Sequence, residues 1–320
     1  MEDDLWWQEH CSIIPPETLR LILVGCLGSV ISLLSMILNS FLFIVLINNS
    51  RYWHSHLLYL TFLAFFDVFL SGSYILLFPI NLFMDFFESE ILAMAWWTYM
   101  RPVLALCHVT ISTSVLLIVA AAFERYLTIS RISFKFRRNH RVIVSAFAFL
   151  FALICKAPLY FEVKVVLNGN CTGVTEYSAI LAEWADEEPY KTYYRFWFRT
   201  VITVFLPFML LVYCNVRIVH RLREQHLAAR LFRFATSEHR SNIRAATRML
   251  VLVSCTYLAS NTLNVIISAW EFIDAPSLLT TDMRPFYTYS TDLVSLLTVL
   301  SSACRLPIYC AHNRRIRNEV

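Results

Sequence analysis

The chain has 320 residues, of which 58% are hydrophobic and only 16% charged, with a formal net charge of +4 and a mean hydropathy of +0.57. Soluble domains carry about a quarter of their residues as Asp, Glu, Lys and Arg, so that class is excluded and lipid must solvate most of the surface.

A helix crossing the hydrocarbon core needs roughly 20 mainly apolar residues. Seven segments qualify, Leu19–Ile47, His56–Asp85, Trp96–Ile129, Arg141–Phe161, Tyr193–Leu222, Asn242–Phe272 and Phe286–Cys310. They predict an all-α membrane protein, a bundle of seven transmembrane helices over residues 19–310. An extracellular segment 1–18 precedes it and a short amphipathic cytoplasmic tail 311–320 follows. The chain opens Met1-Glu2-Asp3-Asp4-Leu5-Trp6-Trp7, where a cleavable signal would open on basic residues, so the first span is expected to be retained. No internal repeat or second domain stands out.

Direction follows from the positive-inside rule. The loops after spans one, three and five, with the tail, carry Arg51, Arg131, Lys135, Arg137, Arg138, Arg141, Arg217, Arg221, Arg223, Arg230, Arg233, Arg240, Arg244, Arg314, Arg315 and Arg317. That side is expected in the cytosol, with the N-terminus outside and the C-terminus inside. The opposite side collects acids from Glu2 to Asp282. They serve either to solvate an outer surface or to steer a cationic ligand towards the bundle mouth.

Most of the nine cysteines lie within spans, where a thiol behaves as a small hydrophobe. Only Cys11 and Cys171 fall in segments placed outside, where the secretory route is oxidising, so a bridge between these two is the candidate disulfide. Asn170-Cys171-Thr172 is a glycosylation sequon on the same side.

Ionisable groups at membrane depth cost free energy and mark function unless they reach an interface. Asp67 lies midway along span two. Glu124-Arg125-Tyr126 closes span three, where acid and base are expected to hold each other. Lys156 lies in the outer half of span four, and Arg305 deep in span seven. Arg305 is the cation expected to reach Asp67 in a compact bundle; the alternative is that it snorkels to the cytoplasmic edge.

Taken together these residues resemble the rhodopsin-like (class A) G-protein-coupled receptors over essentially the whole chain. Asn39 fits that family's asparagine of helix one and Leu63-Ala64-Phe65-Phe66-Asp67 its helix-two motif. Glu124-Arg125-Tyr126 fits its Asp/Glu-Arg-Tyr, Pro158 and Pro207 its helix-four and helix-five prolines, and Tyr309 its last helix-seven tyrosine. The resemblance implies a two-state switch in which an agonist bound in the outer half lets helix six swing outward to admit a heterotrimeric G protein. Glu124, Arg125, Tyr126 and Tyr309 would form its switch and coupling face, and Asn39, Asp67, Ser114 and Arg305 its buried polar network. The basic inner loops would meet G protein or anionic membrane lipid.

Departures from the family pattern are equally specific. The Cys-Trp-X-Pro of helix six reads Ser260-Asn261-Thr262-Leu263, and the Asn-Pro-X-X-Tyr of helix seven reads Arg305-Leu306-Pro307-Ile308-Tyr309. Asn215 replaces the tyrosine low in helix five, and Met100 replaces the cysteine that usually bridges to the outer loop. In the family, Asp67, Ser114 and the asparagine replaced here would bind sodium; Arg305 should exclude it.

Val299 replaces the lysine that an opsin needs, and Cys107 replaces the aspartate of amine receptors. Tyr99-Met100-Arg101-Pro102, Lys156-Ala157-Pro158-Leu159-Tyr160-Phe161-Glu162 and Asn261 are similar to the invertebrate FMRFamide-receptor-like neuropeptide receptors. That likeness implies a short amidated extracellular peptide, often ending Arg-Phe-amide, whose arginine would seek acid and whose phenylalanine would seek an aromatic cleft. Candidate acids are Glu162, Glu271, Asp274 and Asp292. Candidate walls are Tyr74, Phe78, Tyr99, Leu104, His108, Trp184, Phe196, Asn264 and Trp270, each of which could equally be ordinary packing. An orphan chemosensory role and an ion-coupled transporter are the rival readings; the transporter is opposed by five glycines in all and no repeated halves. No Gly-X-Ser-X-Gly or His-Glu-X-X-His motif occurs, and no enzyme activity, cofactor, metal or nucleic-acid partner is expected.

Overall fold

The computed structural model describes residues 11, 15–49, 53, 55, 57–130, 136–169, 171–231, 238–278, 280, 282–312 and 317. Asn170, Arg314 and Arg315, with most of the segment 1–18 and of the tail, lie outside the described residues. Seven helices are long and apolar enough to cross a membrane: α1 (Thr18–Asn48), α2 (Leu57–Phe86), α3 (Glu90–Ile129), α4 (Arg138–Glu162), α5 (Tyr190–Glu224), α6 (Thr247–Asp274) and α7 (Arg284–Ala311). Each coincides with an expected span, with ends displaced by a few residues.

The displacements have local causes. The third helix starts six residues early because Ser89 caps it, its hydroxyl accepting from the Leu92 amide. It then runs 40 residues, about 60 Å at 1.5 Å per residue, so it must overshoot a hydrocarbon core of about 30 Å. In α2 the helix is interrupted at Phe78 and restarts with Pro79 in its first turn. Wide, π-type turns wind α1 over Leu21–Leu27 and α5 over Tyr190–Phe205. No kink breaks α6 at Ser260-Asn261-Thr262-Leu263, where the proline of the family pattern is missing; its one non-helical residue is Asp274.

Between α4 and α5 the chain forms an element that hydropathy does not reveal. Strands β1 (Val163–Leu167) and β2 (Tyr177–Leu181) pair antiparallel, Val163 opposite Leu181. The strands are joined by residues 168–176, which include a short 3-10 turn at Gly173–Glu176, so the Asn168-Gly169 pair is not a two-residue hairpin turn.

Packing sorts the helices by the solvent they meet. About half of the apolar window is buried in α2 and α3, against 28% in α1 and α4, so α2 and α3 are the inner staves and α1 and α4 face lipid. The main core joins Leu42, Leu60, Leu63, Leu117, Ile118, Met249 and Tyr309, while Val30, Ile37, Phe147, Ile154 and Val216 point outward. Gly28 lets α1 approach α2 closely, since a Cβ there would come within 3.0 Å of the Tyr74 ring.

Candidate functional site

Two regions of the bundle carry chemistry. The first is a cavity of about 380 Å³ opening at the end that carries the hairpin, the end that loop charge assigns to the outside. Its volume lies in the range of small-ligand pockets. Tyr74 and Phe78 of α2 wall it, stacked on each other with ring centres 5.1 Å apart. Leu104 and His108 of α3, and Asn264 and Glu271 of α6, complete the side chains expected from sequence that reach it.

The other expected residues lie elsewhere. The Tyr99 hydroxyl donates to the Leu76 carbonyl at 3.2 Å. Trp184 meets Tyr190 edge-on with ring centres 4.8 Å apart, Phe196 stacks on Phe272, and the Trp270 indole donates to Ser277 at 2.9 Å. Of the acids, Glu162 is buried against Arg199, and it also accepts from the Tyr190 hydroxyl at 2.6 Å. Asp292 accepts from Arg20 Nε at 2.6 Å, and Asp274 accepts from the Ser277 amide at 3.3 Å, beside the kink. The protein's own guanidinium groups thus occupy Glu162 and Asp292. Glu271 remains on the cavity wall, accepting from the Tyr287 hydroxyl at 2.5 Å.

Sequence reasoning marked Lys156 as a charge at membrane depth without placing it on a cavity, and it missed Arg199 on the basic side of this one. Lys156 and Arg199 both line it, each less than a tenth exposed. Arg199 could have been found: it stands in Phe196-Trp197-Phe198-Arg199, an arginine inside an otherwise apolar, aromatic stretch of span five.

At the rim, among the described residues, the N-terminal segment and the first turn of α1 are tied down at Cys11, Glu17 and Arg20. Cys11 is joined to Cys171 by a disulfide, with 5.4 Å between their Cα atoms. Tyr289 donates to Glu17, and Arg20 holds Asp292. The segment therefore links the loop between β1 and β2 to α7 through side chains that hydropathy ignores.

The second region lies in the opposite half. Asp67 and Arg305 form a direct, fully enclosed ion pair, with Ser114 donating to Asp67 at 3.4 Å. Arg305 turns inward to that carboxylate instead of running along α7 towards the membrane edge. Nearby, the Asn39 amide donates to the Ser35 carbonyl at 2.9 Å and to the Ser302 carbonyl at 3.3 Å, fastening α1 to α7.

At the inner end of α3, the expected clasp between Glu124 and Arg125 is replaced. Glu124 is held by Arg141 of α4, Nη2 to Oε1 at 2.7 Å and Nε to Oε2 at 3.0 Å. The physical reason is that adjacent residues on a helix do not face each other, so the acid turns to the neighbouring helix. Arg125 is buried with its Nε unbonded. The Asn215 amide and the Tyr309 hydroxyl are likewise buried without partners among the described residues. Tyr126 meets the Tyr213 ring at 6.2 Å. Among the described residues no group of three His, Cys, Asp or Glu side chains could hold a metal ion.

The model of the family described as 7 transmembrane receptor (rhodopsin family) matches residues 38–305. Among solved structures, that of squid rhodopsin is similar at a TM-score of 0.70, covering 98% of this chain and 87% of that chain at 14% identity; at that identity the likeness concerns the fold. No curated protein matches the sequence.

Proposed function

Because the chain belongs to the rhodopsin family of seven-transmembrane receptors, we propose that it is the receptor for a short extracellular peptide, and within that class for an amidated neuropeptide of FMRFamide type. Family membership makes it a multi-pass plasma-membrane receptor that couples an extracellular ligand to a heterotrimeric G protein, and not an enzyme.

The observation that supports a peptide is the outer cavity, whose wall carries both the stacked Tyr74 and Phe78 rings and an acid, Glu271. An Arg-Phe-amide end presents the complementary pair, a guanidinium for the carboxylate and a ring for the aromatic wall. The N-terminus is read as outside, so that this cavity faces the ligand. Binding there would bias the helices towards the state that admits G protein, with Arg125 as its contact. Asn170 is proposed to carry a glycan on the same face.

The test is a library of amidated peptides applied to cells expressing the receptor with a promiscuous G protein. The expected result is activation by Arg-Phe-amide peptides that weakens tenfold or more in Glu271→Gln. Silence towards every peptide would contradict the peptide reading and leave an orphan chemosensory role.

A further inference from the structure

The basic side of the cavity asks for something that an Arg-Phe-amide end does not supply. Lys156 ends the long helical stretch Arg138–Lys156 of α4, is 8% exposed, and lines the cavity. It has no hydrogen bond or ion pair among the described residues. The nearest acid along the chain, Glu162, is already engaged by Arg199 and by the Tyr190 hydroxyl. Two buried cations therefore share one carboxylate. His108 of α3 and Thr203 of α5, also on the cavity wall, supply no negative charge. An ammonium without a carboxylate of its own at membrane depth is costly to the empty receptor, and this one lines a cavity through which an anion could reach it.

We propose that Lys156 is a carboxylate-binding subsite, so that the ligand is bipolar, with an acidic group at Lys156 and a basic group at Glu271. This rests on the ligand cavity of the proposed function and names a chemical feature of its occupant. An ammonium presents three donors on a flexible stem and fits a single carboxylate. Within an amidated peptide that carboxylate belongs to an Asp or Glu side chain, whereas in a peptide with a free end it is the terminus.

Three probes separate these sources: N-acetyl-aspartyl-phenylalaninamide, its asparaginyl counterpart, and the asparaginyl peptide with a free C-terminal acid. Affinity is read from the rise in unfolding temperature of the purified full-length receptor. A carboxylate probe should bind about tenfold to hundredfold tighter than the neutral one, the worth of a charge-assisted hydrogen bond. That preference should vanish in Lys156→Gln and return in Lys156→Arg. Without any probe, Lys156→Gln should melt higher than the parent, because it removes a buried charge that has no partner.

No preference in the parent, no probe binding at all, or a preference that survives in Lys156→Gln would overturn the subsite, as would a lower melting temperature for unliganded Lys156→Gln. The two readings fail separately. A Lys156-dependent preference for the terminal acid alone keeps the subsite and contradicts an amidated ligand. Activation by Arg-Phe-amide peptides with no Lys156 dependence of probe binding does the reverse.

Discussion

Charged side chains inside the bundle set its most testable features. Glu124 and Arg141 are both buried and joined by hydrogen bonds of 2.7 and 3.0 Å, so removing Arg141 takes the guanidinium away from a buried carboxylate. Arg141→Ala is expected to cost about 3–5 kcal/mol, read by thermal unfolding. A double-mutant cycle should show stronger coupling between Glu124 and Arg141 than between Glu124 and Arg125. Asp67 and Arg305 should couple in the same way. With the guanidinium already on that carboxylate, agonist affinity should be unchanged by sodium, and a sodium effect abolished by Asp67→Ala would contradict the pairing. Asp67 and Arg305 were legible in the sequence because each is an isolated charge in an apolar run. The Glu124 partner was not, since Arg141 reads as one more basic residue at a cytoplasmic edge, and only the packing of α4 on α3 turns it inward.

Helices were legible for a reason that does not extend to the loops: a span announces itself by roughly 20 apolar residues, whereas a hairpin of five-residue strands does not. Cys11 and Cys171 could be singled out because they alone fall outside the spans, but the ties from Glu17 and Arg20 to α7 depend on where the N-terminal segment crosses the mouth. Cys11→Ser, Cys171→Ser and the double substitution should destabilise equally, each by about 2–4 kcal/mol, when unfolding of the oxidised parent is compared; additive losses would mean that the cysteines act separately. At the junction of α1 and α2, Gly28→Val should cost about 1–3 kcal/mol by driving a side chain into the Tyr74 ring, and Gly72→Ala should cost less, because a Cβ there finds its nearest neighbour at 3.9 Å.

The whole molecule is a bundle with two solvents and two ends. Lipid takes the apolar sides of α1 and α4, and loop charge orients the bundle. The outer cavity and the Arg125 face are both built on α3, which lines the cavity from Leu104 to Val115 and carries Arg125 ten residues further on. Of the cavity, sequence gave Tyr74, Phe78, Leu104, His108, Asn264 and Glu271. It gave neither the engagement of Glu162 by Arg199 nor the exposure of Lys156 to the cavity, because both depend on which way α4 and α5 face. The most direct measurement is nucleotide exchange on a heterotrimeric G protein reconstituted with the receptor in lipid vesicles and challenged with amidated peptides. Peptide-stimulated exchange that is lost in Arg125→Ala, with peptide binding by the reconstituted receptor intact, is the predicted result; exchange that ignores every peptide, or that persists undiminished in Arg125→Ala, would contradict it.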